Sequence, residues 1–445
     1  MHQESFLTIS PGGVYDAAEM GVKVAVVGGG STYTPELVEG FATREDRLPV
    51  DELALLDIDA ERLSVVGGLA ERQLRRVGWT GRLTRTGDRR EALEGADFVI
   101  VQLRVGGNRA RLKDETIPLE FDCIGQETTG AGGFAKALRT VPVVLELAEL
   151  TASIGTPGAW FVDFTNPTGL VTQALLDHGH HALGLCNVAI GFQRDFAAHF
   201  GVTPAQVQLE HVGLNHLSWV RKVLVDGEDR LPELLDHPPP DPDEDGFEGM
   251  PIDFVRDLGA IPSSYLHYYY RPFAVLEEQR RSKTRAEEVI EIEAGLLELY
   301  RDPALDRKPA LLEERGGAFY SDAAAALVAS LHAGTGDIQV VDVRNDGAIP
   351  NLGDDDVVEV ACTVDAEGAH PLPVDPLPPE MHGLVAHVKA YERLTIEAAM
   401  TGSRSRALAA LLANPLIGDL DTAGPLLDAL LEVNRPHLPR FWPEG

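Results

Sequence analysis

Short apolar runs alternate with longer amphipathic stretches through the N-terminal part of the chain. Such runs predict parallel strands buried on both faces, and the stretches between them predict crossover helices. The predicted strands are residues 24–27, 53–59, 82–86, 96–103, 160–164 and 182–188. The predicted helices among them are residues 63–77, 141–154 and 170–176. This alternation indicates an α/β fold.

The pattern changes in the C-terminal part. Residues 226–253 are rich in Pro, Asp and Glu and predict a surface insertion. Residues 338–343 and 357–364 predict antiparallel strands, with a turn signal at Asn345-Asp346-Gly347 between them. The predicted helices of this part are residues 285–299, 322–333, 384–400 and 407–412.

The first strand leads into a glycine-rich turn, which reads VAVVGGGSTYTPEL. Thr34 is the expected helix N-cap, and Pro35 takes the first helical position, where its missing N–H costs nothing. A strand, a glycine turn and a helix start can cradle a pyrophosphate on backbone N–H groups. Gly28 and Gly30 match the first two glycines of that fingerprint, but Tyr33 takes the third position. An ordinary strand-to-helix turn is the alternative.

An acidic residue ends the second predicted strand, where a Rossmann unit holds the adenine ribose. Asp57 is the first candidate and Asp59 the second, with a solvated strand end as the alternative. An acid rather than an arginine at this position favours NAD over NADP.

Four basic residues lie within residues 104–113, directly after a buried strand. Open α/β sheets bind their ligands at the carboxyl ends of strands, and arginine offers a planar fork to a phosphate. Arg104, nearest the strand end, is the best single candidate. The alternative is a solvated helix face that pairs with Asp114 and Glu115.

Composition limits the classes of partner. The 445 residues fit about two joined domains, and the net charge of −32 argues against nucleic acids and anionic membranes. Residues 1–20 have no signal-peptide pattern and are expected to be a disordered leader. Three widely spaced cysteines indicate no disulfide framework and favour a reducing cytoplasm. We expect an NAD-binding domain over residues 21–188 and a domain that binds substrate and metal over 189–445.

Polar residues at later strand ends extend the candidate site. Asn166 follows one buried strand, and Cys186 and Asn187 lie near the end of the next. A thiolate and an imidazole such as that of His216 can share a divalent metal, although a buried cysteine is more often inert packing. Four tyrosines fall within residues 265–270. They indicate either a packed aromatic patch or a tyrosine poised for proton transfer beside a metal.

Seven segments in order give the chain a family resemblance: GGGSTYTPEL, RVGG, GQETTGAGG, FTNPTG, the Cys186-Asn187 pair, GLNHLSW and SYLHYYY. With these segments the chain resembles glycoside hydrolase family four, the NAD- and metal-dependent glycosidases, and within it the 6-phospho-β-glucosidases. The resemblance implies a lactate/malate dehydrogenase-like fold, with an N-terminal Rossmann domain and a C-terminal α/β (α+β) domain. It also implies a homo-oligomer, either a dimer or a tetramer.

The reaction that the resemblance implies is hydrolysis of a 6-phospho-β-glucoside without the usual pair of carboxylates. NAD transiently oxidises C3 of the sugar, a base removes the C2 proton, the aglycone is eliminated, and water adds to C1. A ketone at C3 acidifies the C2 proton, and a divalent cation stabilises the negative charge that develops.

The resemblance also implies residue roles. Cys186 and His216 would bind the metal, manganese by family likeness, and Tyr265 would be the base with Tyr269 as the fallback. Asn187 replaces an acidic residue of the α-specific members, which leaves the proton donor open, with Glu127 as a candidate. The implied NAD-binding residues are Gly28, Gly30, Ser31, Thr32 and Asp57. The implied substrate-binding residues are Arg104, Asn166, Asn187 and Arg285.

Two other functions fit the same segments. One is an NAD-dependent 2-hydroxy-acid dehydrogenase of the same fold, although no catalytic histidine with an acidic partner stands out in the second half. The other is a non-catalytic NAD or redox sensor, for which Cys186→Ser would leave function untouched.

Overall fold

The computed structural model describes residues 21–238, 246–316 and 319–442. The expected leader, residues 1–20, lies outside the described residues, as does part of the expected insertion. None of the described helices is both long and apolar enough to cross a membrane.

The described chain builds a nine-stranded sheet in the order β15-β14-β13-β6-β5-β4-β1-β2-β3. The pairings among β1 to β6 are all parallel. β1 and β4 read VKVAVV and FVIV, and their nearly complete burial explains why these runs lack polar alternation. The six strands are β1 Val22–Val27, β2 Val50–Leu56, β3 Arg82–Thr86, β4 Phe98–Val101, β5 Trp160–Asp163 and β6 Ala182–Gly184.

Three strands from the C-terminal part extend this sheet: β13 Asp337–Arg344, β14 Val357–Asp365 and β15 Gly368–Pro371. They pair antiparallel to one another, and β13 joins β6 through the pair Asp342↔Gly184. The main sheet therefore continues across the domain boundary expected at residue 188.

A smaller antiparallel sheet covers one side of the carboxyl edge. Its long hairpin pairs β7 with β8, and β9 and β12 both pair with β8. These strands are β7 Val207–Leu214, β8 Leu217–Val225, β9 Glu228–Asp229 and β12 Ile261–Pro262, and a separate two-residue pair joins β10 Gly246–Phe247 to β11 Met250–Pro251.

Helices cover the main sheet and connect its strands. They are α1 Thr34–Ala42, α2 Ala60–Val77, α3 Arg89–Leu93, α4 Gly107–Thr116, α5 Gly130–Ile154, α6 Thr168–Asp177, α7 Asn187–Phe200, α8 Leu231–Asp236, α9 Ile252–Leu258, α10 His267–Tyr270, α11 Pro272–Gln279, α12 Arg285–Tyr300, α13 Leu311–Glu314, α14 Tyr320–Ala333, α15 Pro379–Thr401, α16 Arg404–Leu412 and α17 Leu420–Asn434. Short 3₁₀ turns span Pro118–Phe121, Pro204–Gln206, Ser264–Leu266, Arg435–His437 and Pro439–Phe441.

Several helix starts differ from the sequence-based prediction, among them those of α1 and α5. Tyr33, not Thr34, is the N-cap of α1, and no side-chain hydrogen bond caps this helix. Helix α5 begins at Gly130, about eleven residues before the predicted start at residue 141. A Cβ added at Gly132 would lie 2.1 Å from the Gln126 carbonyl oxygen, so this glycine allows a close approach that helix propensity does not reveal.

Candidate active site

A large cavity of about 1140 Å³ opens at the carboxyl ends of the parallel strands. Its volume exceeds the range of about 300–1,000 Å³ that is usual for one small ligand, so it has room for two. Its wall includes Gly28, Gly30, Ser31 and Asp57 on one side and Tyr265 and Tyr268 on the other. The cavity therefore unites the glycine turn and the tyrosine segment in one site.

The glycine turn has the geometry of a phosphate cradle. Gly28 has φ +89°, and a Cβ there would lie 2.7 Å from the Gln102 carbonyl oxygen. Because a side chain would meet backbone at this distance, only glycine fits. Gly30 donates its N–H to Asp57 Oδ2 at 2.8 Å, so the candidate ribose acid also shapes the loop. Asp59 also lines the cavity, but it caps α2 by accepting the N–H of Arg62.

Cys186, His216 and Tyr265 come together although they are far apart in sequence. Cys186 is the N-cap of α7, at the carboxyl side of β6. His216 lies in the two-residue turn between β7 and β8 with φ +62°. The rings of His216 and Tyr265 are in contact, with centroids 4.0 Å apart and planes tilted by 38°. The Cys186 side chain is hydrogen-bonded to Tyr320, which also lines the cavity.

The two candidate ligands fit a divalent cation. His216 is 3% exposed, and its Nε2 has no hydrogen-bond partner among the described residues. Burial lowers its pKa to about 4, so the imidazole is neutral at pH 7 and keeps a lone pair for a metal. Burial, with the charge of Glu359, raises the pKa of the Cys186 thiol, and a bound cation reverses that effect by stabilising the thiolate.

Cys186 and His216 are two candidate ligands and do not form part of a larger cluster of metal-binding side chains among the described residues. No group of three or more His, Cys, Asp or Glu side chains in the described ranges is arranged to hold a metal ion. Cys186 and His216 would hold the cation, which would supply Lewis-acid polarisation of a bound oxygen.

The tyrosines differ in their surroundings. Burial and the neighbouring Cys186 raise the pKa of Tyr265, and burial with the charge of Glu115 raises that of Tyr268 to about 12. Tyr269, the fallback base, interacts with Tyr391 and the Glu392 carboxylate instead. Of the two candidates, Tyr265 is the one that lines the cavity.

Glu127 lies among three cations. Arg104 donates two hydrogen bonds to its carboxylate, the Lys136 Nζ lies 2.7 Å away, and Arg111 Nη1 lies 3.4 Å away. Although burial opposes ionisation, these cations hold the pKa of Glu127 well below its ordinary value. These cations favour the ionised carboxylate over the protonated form that a donor needs, and the role of Glu127 as proton donor stays a prediction.

The candidate substrate residues lie around the same cavity, whose wall includes Arg104, Asn166, Asn187 and Arg285. Arg104 is half-buried beside Glu127. Arg285, at the start of α12, is exposed and donates to Glu288 at 2.7 Å and to the Glu314 carbonyl at 2.8 Å. Asn187 is the first residue of α7, directly after Cys186. The structure brings these residues together, and their roles stay predictions.

Sequence reasoning missed a buried carboxylate at the glycine turn. Glu293 of α12 accepts hydrogen bonds from Arg62, Asn108 and Arg315. It lies on a helix with four other glutamates, and no local pattern marks it as different from them. Only the tertiary structure identifies it.

Comparison with known proteins decides the family. A model of the family 4 glycosyl hydrolases matches residues 23–202, and a model of the C-terminal domain of the same family matches residues 211–417. The chain belongs to glycosyl hydrolase family 4. This family 4 chain is 44% identical over 436 residues to a Bacillus subtilis (strain 168) protein named probable 6-phospho-β-glucosidase, covering 95% of this chain and 98% of the relative.

Other relatives agree. The 6-phospho-β-glucosidase of Escherichia coli (strain K12) is 37% identical, over 94% of this chain and 97% of the relative. A structure of the Thermotoga maritima 6-phospho-β-glucosidase with manganese, NAD⁺ and glucose-6-phosphate has a TM-score of 0.88 at 37% identity, covering 94% of this chain and 99% of that one.

A malate dehydrogenase from Plasmodium falciparum has a TM-score of 0.52 at 14% identity, covering 85% of this chain and 98% of that one, and shows the fold alone. The predicted family, the glycosidase class and the lactate/malate dehydrogenase-like fold are confirmed.

Proposed function

We propose that this family 4 chain hydrolyses 6-phospho-β-glucosides and uses NAD and a divalent metal ion, such as Mn²⁺, as cofactors. The observation that carries the proposal is the cavity that joins the glycine turn to Tyr265, whose ring contacts His216, and to Tyr320, which is hydrogen-bonded to Cys186. The β-specific assignment is supported by identities of 37–44% to relatives named for β-glucosides, against 28–31% for relatives named for α-glucosides.

Each side chain has a distinct task in this proposal. Gly28, Gly30, Ser31, Thr32 and Asp57 hold NAD, and Cys186 and His216 hold the cation. When bound, NAD supplies reversible oxidation of the sugar, and the cation supplies Lewis-acid polarisation of its oxygens. Tyr265 would take the C2 proton as its phenolate, a form that a cation on the adjoining Cys186 and His216 would favour, and this side chain faces the cavity.

The sugar phosphate belongs beside the cationic wall of the cavity. Arg104, Arg111 and Lys136 outnumber Glu127 and Glu115 there, which leaves an excess of positive charge in a strongly acidic protein. Arg104 and Arg285 are the proposed phosphate contacts, and Asn166 and Asn187 offer amides to the sugar hydroxyls. Replacing Arg285 by alanine is expected to reduce the preference for phosphorylated over plain β-glucosides, measured as a ratio of kcat/KM values.

We extend the proposal to the setting of the enzyme. The three cysteines are free and buried, which is consistent with a reducing cytoplasm. A homo-oligomer, either a dimer or a tetramer, is proposed from the family resemblance and can be checked by analytical ultracentrifugation.

The deciding experiment is hydrolysis of a chromogenic 6-phospho-β-glucoside under reducing conditions. Turnover is expected only when both NAD and Mn²⁺ are present, with no net formation of NADH. Net NADH production from malate or lactate, without hydrolysis of the glucoside, would instead identify a 2-hydroxy-acid dehydrogenase.

A further inference from the structure

Glu293 is a buried acceptor at the centre of a polar cluster. Its side chain is 6% exposed. Its Oε2 accepts from Asn108 Nδ2 at 2.9 Å and from Arg62 Nη2 at 3.1 Å, and its Oε1 accepts from Arg315 Nε at 3.0 Å. Two guanidinium groups on one carboxylate keep it ionised and fix the geometry of both arginines.

Both arginines go on to hold the glycine turn. Arg62 donates from Nε to the Gly30 carbonyl oxygen at 3.2 Å. The guanidinium of Arg315 lies 4.2 Å from the centroid of the Tyr33 ring, which is the residue at the third glycine position. Through these two side chains, the carboxylate of Glu293 determines where the backbone at Gly30 and the ring of Tyr33 lie.

Helix α12 reaches the turn a second time. The Tyr300 hydroxyl, at the end of this helix, donates to the Thr32 carbonyl oxygen at 2.8 Å. In the usual fingerprint the third glycine lets the helix pack closely against the strand. Here helix α12, from the other half of the chain, supports the turn instead. It contacts Thr32 directly through Tyr300. It reaches Gly30 and Tyr33 through the two arginines that donate to Glu293.

We propose that Glu293 is a positioning residue for NAD, which acts through Arg62 and Arg315 to preorganise the glycine turn. The inference rests on the proposed cofactor site, because it needs NAD to bind at that turn. A preorganised loop loses less conformational entropy when its ligand binds. The loss of Glu293 should therefore weaken NAD binding, and it removes no contact to the reacting sugar.

The test compares Glu293→Gln with wild-type protein by calorimetric titration of NAD⁺. The glutamine keeps the size of the side chain and removes the charge that fixes both arginines. The expected result is at least a tenfold weaker NAD⁺ affinity, a Mn²⁺ affinity within twofold by electron paramagnetic resonance, and a kcat at saturating NAD⁺ within threefold. An NAD⁺ affinity within twofold of wild type would overturn the proposal.

The matched control is Glu298→Gln, on the same helix, where the carboxylate is exposed and pairs with Arg301 at 3.1 Å. This variant is expected to bind NAD⁺ like wild type, and equal weakening in both variants would refute a specific role for Glu293. If Glu293→Gln does not fold, Tyr300→Phe provides the test. It removes only the hydroxyl that donates to the Thr32 carbonyl oxygen of the turn, and it should weaken the NAD⁺ affinity about threefold. An unchanged affinity in that variant would count against the proposal.

A further variant separates this inference from the proposed cofactor site. Gly30→Ala places a Cβ 2.7 Å from Asp57 Oδ2 and should abolish NAD⁺ binding if the dinucleotide lies on this turn. Normal binding by Gly30→Ala would refute the cofactor site itself. Loss in Gly30→Ala together with normal binding by Glu293→Gln would refute only the role of Glu293.

Discussion

Glu127 illustrates how neighbours decide the role of one carboxyl group. Its position in a polar, glycine-rich segment is compatible with an acid, but Arg104, Arg111 and Lys136 favour its ionised form. Its carboxylate instead offsets the mutual repulsion of three cations that face the cavity. Without it, burial and Arg104 would depress the pKa of Lys136 below its value of about 7.

We therefore expect Glu127→Gln to lower the free energy of unfolding by about 3 kcal/mol, because it leaves buried cations without a counter-charge. Urea unfolding at pH 7 measures the loss. Glu298→Gln, which removes an exposed charge, should cost less than about 1 kcal/mol. Equal stability of Glu127→Gln and wild type would show that the cations do not need this carboxylate.

Tyr265→Phe tests the proposed base by removing one oxygen while keeping the ring in contact with His216. We expect turnover to fall at least a hundredfold, a typical contribution of a general base, while NAD⁺ and Mn²⁺ affinities stay unchanged. Steady-state kinetics and titrations measure the two effects. Near-normal turnover would move the role to Tyr268, the other tyrosine of this segment at the cavity.

Which residues lie around the cavity was predictable only where a strand end or a recognisable segment marked them. Asp57 follows from its place after β2, and the cavity includes it. Cys186 and His216 lie thirty positions apart, and their pairing came from family resemblance rather than from spacing. Nothing in the sequence distinguishes Glu293 as a buried residue, since α12 also carries several exposed glutamates.

At the scale of elements, strand β13 carries a buried acid without a partner. Both carboxyl oxygens of Asp342 lack hydrogen-bond partners among the described residues, and a Cβ at Gly184 would lie 2.6 Å from one of them. Burial, with the charges of Glu359 and Glu392, raises the pKa of Asp342 well above its ordinary value. The unfolded chain releases this proton more easily than the folded protein does.

Because the folded pKa is raised, the contribution of Asp342 to stability is fully present below pH 4 and declines as the pH rises toward the folded value. Asparagine does not ionise, so Asp342→Asn does not lose stability in this way as the pH rises. We expect its melting temperature to exceed that of wild type at pH 8 by several degrees, and the advantage to shrink at pH 4.5. Asp355→Asn, at an exposed site, is the control and should show no such trend.

Strands were easier to predict than helix starts. The apolar runs of β1 and β4 stand out because both of their faces are buried, and their predicted positions agree with the structure within two residues. Helix α5 was predicted too late, because Gly130, Gly132 and Gly133 have low helix propensity. These glycines are present for close packing, which local propensity does not measure.

At the scale of the whole molecule, Glu293 makes stability depend on pH. The arginines that surround it lower its pKa from 4.5 to about 2. Since the folded value is depressed, this contribution is complete above about pH 4.5 and is lost as the pH falls toward 2. The shift corresponds to about 3 kcal/mol.

We expect Glu293→Gln to be less stable than wild type at pH 7 and to lose less stability on acidification to pH 3. Urea unfolding at both values gives the difference. Acidification also reduces the self-repulsion caused by the net charge of −32, and this effect stabilises both proteins at low pH. The quantity to measure is therefore the difference in stability between the variant and wild type at each pH. Parallel pH profiles would contradict the assigned shift.

The N-terminal Rossmann arrangement was predictable because its strands and helices alternate in sequence. The two antiparallel strands near the C-terminus were also predicted, but not the sheet that they join. Two strand-like runs separated by a turn signal predict the pairing within a hairpin. Nothing local in the sequence indicates that β13 lies beside β6, which comes more than 150 residues earlier. The site depends on such distant contacts, so its composition was partly predictable and its geometry was not.

The junction of β13 with β6 determines how this protein can be cut and recombined. A fragment that stops at residue 202, where the N-terminal family match ends, would expose the edge of β6 and leave its backbone groups open to pairing with another copy. We expect such a fragment to aggregate. A chimera that exchanges the nucleotide-binding half for that of a relative must therefore exchange β13–β15 as well, although these strands come last in the sheet and late in the chain.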